Sequence, residues 1–330
     1  MEYVKFGNTG MDVSRICLGM MSFGRPGREN GLFPWVKDYE EGKEIFKKAI
    51  DLGINYFDTA NVYQMGSSEE ITGRYIRDFG LNRDEIVVAT KVNFEMRPGR
   101  PNGGGLSRKN IMTEIDHSLE RLGLDYVDVY QIHRLDPYTP MEEIMEALHD
   151  VVKSGKARYI GASTIFAWQL ERMQQIAESH GWTKFASLQP QYNLIYREEE
   201  REILPLCKDR KMAVVPWSPL AGGRCAHPWG TVTERNKIDD VSPMVWDATN
   251  DMDKVVVNNL EAVAKAHGRT MAQESLAWML SKPYITAPIV GVTSTAHVEE
   301  AAAAVHMKLD EEEIKALEAP YRPHVKTGQF

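Results

Sequence analysis

Apolar residues in this chain gather in eight short runs: "RICLGM", "GINYFD", "EIVVATK", "YVDVYQIH", "ARYIGAS", "FASLQP", "MAVVPWS" and "ITAPIVG". Each is too short for a helical stripe and too continuous for a half-exposed strand, which would alternate; such runs suit strands covered on both faces. Between them, "EEGKEIFKKAIDLG", "SRKNIMTEIDHSLERLG", "PMEEIMEALHDVVKSG" and "FAWQLERMQQIAESHG" carry apolar residues at helical spacing. Ser107 and Thr139 stand where helices should begin, and Gly53, Gly123, Gly155 and Gly181 where they should end. Strand and helix therefore alternate along the chain.

Eight buried parallel strands separated by helices predict a (β/α)8 TIM barrel. An open doubly wound sheet is the alternative, but the first strand-to-helix turn, "CLGMMSFGRPGRENG", is not the tight G-x-G-x-x-G turn of a dinucleotide fold. Ahead of the first run, "GNTG" lies between two short candidate strands and predicts an N-terminal β-hairpin plugging the bottom of the barrel. "NFEMRPGRPNGGGL" and the stretch from Ser218 to Asp251 are long connections, as binding loops at the C-terminal face would be. The tail from Leu309 predicts one more helix with an irregular end folding over the barrel mouth. Residues 1–330 read as a single domain, without internal repeat or flexible linker.

A formal charge of −8 and a pI near 5.7 leave no basic footprint for nucleic acid or an anionic membrane surface. No window approaches the length of a membrane helix, and "MEYVKFGNTG" lacks a signal pattern, so a soluble, cytoplasmic protein with a small-molecule partner is expected. Oligomeric state stays open. The three cysteines, Cys17, Cys207 and Cys225, show neither disulfide nor metal-ligand spacing, and Cys17 in "ICLGM" reads as a buried inert thiol.

Reactive groups of such a barrel collect at the C-terminal ends of its strands. Asp58 ends the second run and Tyr63 lies in its loop; Lys91 ends the third and His133 the fourth. Singly, each has a structural explanation. Together they form a proton-delivery device: an ammonium beside a phenol favours the phenolate, an acid holds the ammonium, and an imidazole orients a carbonyl. A site that protonates a developing alkoxide needs a hydride donor, hence a cofactor.

"FDTANVY", "VVATK", "VYQIH", "IGAST", "SLQPQYNL", "VVPWSPLAGGR" and "PIVGVTSTAHVEE" resemble, in order and spacing across the whole chain, the aldo-keto reductase superfamily. "NLIYREEEREILPLC" and "GKARYIGAS" resemble its bacterial YajO-type branch, a relative of the potassium-channel β subunits. The resemblance implies a barrel binding NADPH, with NADH possible, and reducing small carbonyl substrates. It implies Tyr63 as general acid, Asp58 and Lys91 as its supporting pair, and His133 as the carbonyl-orienting group. Ser163, Thr164 and Gln189 would hold the nicotinamide carboxamide and Trp217 would stack on the ring. Ser218, Pro219, Leu220, Gly222 and Arg224 would surround the pyrophosphate, and Gly291, Thr293, His297 and Glu300 the adenosine end, with Arg235 as a compensating cation for the 2′-phosphate. Thr164 stands where many relatives have Asn, while Ser294, His297 and Ala301 depart from the usual Arg and Asn, thinning the 2′-phosphate clamp.

Met21, Phe23, Trp35, Phe94 and Trp229 are candidate walls of an aromatic substrate pocket. Two rivals remain: a cofactor-sensing regulatory subunit resembling the channel β subunits, and a metal-dependent barrel hydrolase using Asp58 and His133. No metal site is expected, because Lys91 in the same cavity would repel a divalent ion.

Overall fold

In the computed structural model, which describes residues 1–323, strands form where the apolar runs predict them. β1 (Tyr3–Lys5) and β2 (Asp12–Ser14) pair antiparallel as the expected hairpin. β3 (Cys17–Gly19), β4 (Tyr56–Asp58), β5 (Val87–Val92), β6 (Val127–Ile132), β7 (Ala157–Ser163), β8 (Phe185–Gln189), β9 (Ala213–Val214) and β10 (Ile289–Gly291) form one parallel sheet in the order β10-β3-β4-β5-β6-β7-β8-β9. Its edges meet: the backbone N–H of Thr286 donates to the Val214 carbonyl, and that of Ile289 to the Pro216 carbonyl, both at 2.8 Å. The sheet closes on itself as a (β/α)8 barrel.

Strand periodicity then sorts the side chains. Leu18, Phe57, Val88, Val92, Tyr130, Ile160 and Val214 face outward into the large core shared with the helices. Cys17, Tyr56, Val87, Ala89, Val129 and Ala213 face inward as a second, smaller apolar cluster. The hairpin closes this inner cluster from below, as expected: Phe6 is fully buried and meets Tyr56 edge-on at 5.9 Å. At the turn, Gly7 has φ +61° and lies so close to β9 that a Cβ would sit 2.5 Å from the Ala213 nitrogen. Cys17 is a buried free thiol whose pKa is pushed well up by burial, the inert state expected of it.

Helix starts follow local chemistry. Ser107 caps the helix Arg108–Leu122 by accepting from the Asn110 N–H, and Gly123 and Gly181 end their helices in left-handed conformation. Thr139 is a correction: the helix Met141–Lys153 is entered through Pro140, and the Thr139 hydroxyl instead donates to Asp136 at 2.6 Å. The predicted last helix forms at Glu311–Glu318; a covering of the mouth by the chain's end falls on residues 324–330, outside the described residues. Among the described residues, no helix is long and apolar enough to cross a membrane.

Candidate active site

One inward-facing position beyond the apolar inner cluster, the strands carry polar side chains. Register sets Gly19 beside Asp58, Lys91 beside Gln131, Gln131 beside Gly161, and Ser163 beside Gln189. Lys91 is wholly buried; its ammonium pairs with Asp58 Oδ1 and donates to the Thr59 carbonyl at 2.8 Å and the Tyr63 hydroxyl at 3.2 Å. The other Asp58 oxygen accepts from Gln131 Nε2 at 2.9 Å and Gln189 Nε2 at 3.0 Å. Every partner a buried carboxylate needs is therefore present. Gly161 makes room for this, since a Cβ there would lie 3.1 Å from Gln131 Cγ.

The five-residue spacing of Asp58 and Tyr63 follows from the chain curling over Lys91. After β4, the Thr59 N–H donates to the Ala89 carbonyl and the Asn61 N–H to the Lys91 carbonyl, at 2.9 and 3.2 Å. The Asn61 side chain donates to buried Glu114 at 3.1 Å, anchoring the loop from behind. Gln64, with φ 47°, reaches back to the β3 loop, accepting from the Phe33 N–H at 2.9 Å and donating to the Arg25 carbonyl at 2.8 Å. This brings the Phe33 ring edge-on to Tyr63 at 6.3 Å. His133 packs edge-on to Tyr63 at 5.6 Å and to Phe94 at 4.8 Å, and its Nδ1 is buried without a hydrogen-bond partner among the described residues.

The electrostatics correct one expectation. Burial raises the Tyr63 pKa above the usual tyrosine value, and the opposing pull of Lys91 does not overcome it, so the hydroxyl is held protonated rather than acidified. Burial alone would lower Lys91, but Asp58 and Tyr63 outweigh it and keep the ammonium charged. His133 is driven well below its ordinary value, first by burial and then by Lys91 and Arg134, so its imidazole is neutral near pH 7. The result is a neutral acid, a fixed cation and a neutral imidazole around one point.

The predicted dinucleotide residues divide. Ser163 donates to the Gln189 carbonyl at 2.9 Å, while the Gln189 amide nitrogen turns to Asp58. Thr164 has φ 44°, a left-handed conformation in which Asn is comfortable and a β-branched residue is not, and its hydroxyl accepts from the Trp217 indole N–H at 3.0 Å. Thr164 thus fixes the indole instead of offering an amide. Ser218, at φ 51°, and Gly222, at φ 65°, turn the chain after β9, where Pro219 and Leu220 lie between them.

Arg224 is engaged by Asp247 and Asn250 at 2.6 Å and lies over Trp229; Arg235 pairs with Asp239 at 2.8 Å and covers Trp35 at 3.8 Å. Both arginines are balanced by acids of their own loop. Gly291 ends β10, and Ser294 caps the helix Thr295–Ala304, which carries His297 and Glu300. The Thr293 N–H donates to His297 Nδ1 at 3.3 Å, and burial lowers the His297 pKa, leaving that ring uncharged.

Among the pocket candidates, Phe94 and Trp229 are partly exposed, Met21 is half-buried, and Trp35 is nearly covered by Phe33 and Arg235. Phe23 is a correction: it is fully buried and packs edge-on against Tyr75, because the turn Met20–Ser22 directs it into the helix layer. Sequence reasoning missed Gln131, Phe33 and Arg134. The signal for Gln131 was its two-residue offset from His133 and Val129 in "VDVYQIH", which puts all three on the inner face.

Comparisons with known proteins agree with this architecture. The chain is 42% identical over 341 residues to the versiconal hemiacetal acetate reductase of Aspergillus parasiticus, covering 98% of both chains. It is 41% identical over 351 residues to a Schizosaccharomyces pombe protein provisionally named an aryl-alcohol dehydrogenase, covering 99% of this chain and 98% of the other. A similarly named Saccharomyces cerevisiae protein is 39% identical over 340 residues, covering 98% and 97%. These fungal relatives do not place the chain in the YajO-type branch. The model of the aldo/keto reductase family matches residues 15–322, and the chain belongs to that family.

Proposed function

We propose that the chain is a single-domain reductase of aldehydes and ketones that uses NADPH, with NADH as the alternative donor, and delivers its proton from Tyr63. The observation that carries this reading is the fully buried Lys91 ammonium, bonded at once to Asp58 and to the Tyr63 hydroxyl. Bound nicotinamide would supply a hydride to the carbonyl carbon. The chain's own groups manage the oxygen: neutral His133 donates a hydrogen bond to it, Tyr63 gives it a proton, and Lys91 stabilises the phenolate left behind. Asp58, held by Gln131 and Gln189, keeps Lys91 charged and aimed.

The side chains present fit a nicotinamide at the mouth. His133 Nδ1 is a buried atom without a partner among the described residues, beside Tyr63, and the Trp217 indole is fixed by the Thr164 hydroxyl just after β9. Ser163 and the free oxygen of Gln189 would hold the carboxamide, and the turn after β9 with the start of the helix Thr295–Ala304 would carry the phosphates. The acid-paired Arg224 and Arg235 and the neutral His297 support a weak preference between the two dinucleotides.

Relatives named for aryl alcohols support aryl carbonyl substrates, in line with the aromatic surround of Phe33 and Phe94. The test is a fluorescence titration with NADPH and NADH, followed by a panel of aldehydes, ketones and keto sugars. Saturable binding with turnover of aryl aldehydes is expected. Binding without turnover of any member would favour the regulatory-subunit reading, and no dinucleotide binding would overturn both.

A further inference from the structure

Arg134 follows His133 directly and is the second cation at the mouth. Its guanidinium donates to the His133 carbonyl at 2.7 Å and lies over the Trp217 ring at 5.8 Å from the ring centre. It is close enough to Tyr63 and His133 to act on the charge of both. Its other donors have no protein partner among the described residues. Four other half-buried arginines have an acid: Arg83 pairs with Asp128, Arg121 with Glu69, Arg197 with Glu200, and Arg269 with Glu274. Arg15 pairs with none among the described residues, but its guanidinium is taken up by the Leu280, Ile285 and Thr286 carbonyls, whereas Arg134 has the His133 carbonyl alone.

The nearest acid in sequence does not serve. Asp136 accepts from the Leu106 and Tyr138 N–H groups and the Thr139 hydroxyl, which commits its carboxylate to its own loop and the loop after β5. Burial without a counter-charge pulls Arg134 down to about 10, so it still carries its charge near pH 7. A guanidinium has five donors in a planar fork matched to carboxylate, and a buried one without an anion is costly. Arg134 thus lies over Trp217 and within electrostatic reach of the Tyr63 hydroxyl, at the same end of the barrel.

We infer that Arg134 forms an anion subsite, and that the preferred substrates are carbonyl compounds bearing a carboxylate or similar oxyanion group, with Arg134 as the residue that selects them. This rests on the reductase reading above. A substrate of this class is held at two points: its carbonyl oxygen between Tyr63 and His133, its anionic group on the Arg134 fork. Neutral carbonyls are held at the first point alone.

The experiment compares benzaldehyde with its ortho, meta and para carboxy derivatives, on wild type, Arg134→Met and Arg134→Lys. Wild type should favour at least one carboxylated isomer by about tenfold in kcat/KM, the size of one charge-assisted hydrogen bond in a sheltered site. In Arg134→Met that ratio should collapse toward one, Arg134→Lys should keep part of it, and benzoate should stop competing with aldehyde. The Kd for NADPH, read by fluorescence in the same samples, should hold.

Equal losses on charged and neutral aldehydes, no preference in wild type, or weaker NADPH binding with unchanged selectivity would each overturn the inference while leaving the reductase reading intact. If wild type binds NADPH and reduces none of the four but turns over another member of the carbonyl panel, the subsite alone fails; if it turns over no member, the reductase reading fails and the subsite goes with it.

Discussion

Tyr56 and Asp58 lie two residues apart on β4 and point into the same barrel, yet their surroundings are opposite. Tyr56 sits in the apolar inner cluster against Phe6, its hydroxyl without a hydrogen-bond partner among the described residues and its pKa pushed well up by burial. Asp58, one layer higher, is held by Lys91, Gln131 and Gln189. The lower layer is packing closed by a hairpin; the upper layer is charge closed by partners. One inward-facing step along the strands therefore separates residues whose loss should cost stability from residues whose loss should cost chemistry.

The largest effect that can sharpen this contrast comes from Lys91→Met. It strips Asp58 of its cation and Tyr63 of its charge, so kcat/KM should fall by roughly a hundredfold or more and stability by about 3–5 kcal/mol. Denaturant titration and steady-state kinetics would read both. Phe6→Ala should cost a comparable 3–5 kcal/mol, by opening a cavity under Tyr56, while leaving kcat/KM of the folded protein within about twofold. Equal damage to turnover from the two substitutions would show that the two layers do not divide stability from chemistry.

A smaller effect, an absence of change, concerns pH. Because the His133 pKa is lowered, its neutral form persists well into acid; because the Tyr63 pKa is raised, its protonated form persists beyond the ordinary tyrosine value. The kcat/KM for reduction should thus be flat between about pH 6 and 8 and fall only in strong alkali. An inflection near the ordinary histidine value would show that His133 titrates in the working range.

The barrel was legible in the sequence because parallel strands buried on both faces leave continuous apolar runs, and all eight runs became barrel strands. Asp58, Lys91 and His133 were legible because acids, lysines and histidines at strand ends are chemically conspicuous there. Gln131 was not, since an amide inside a strand has no signature until the register beside Lys91 and the space left by Gly161 are known. Arg134 was hidden for a different reason: what distinguishes it is a missing acid, a property of three dimensions. Phe23 misled because an aromatic just after a strand reads as a pocket wall, whereas a single tight turn sends it into the helix layer.

In the proposed reaction the Tyr63 hydroxyl, set beside Lys91, delivers the proton in a nicotinamide-dependent reduction. The most direct measurement is the turnover of NADPH with an aryl aldehyde by Tyr63→Phe, with NADPH binding followed by fluorescence in the same samples. NADPH affinity should be unchanged and turnover should fall by about a hundredfold to ten-thousandfold. Wild-type turnover by a Tyr63→Phe protein that still binds NADPH would contradict that role for Tyr63.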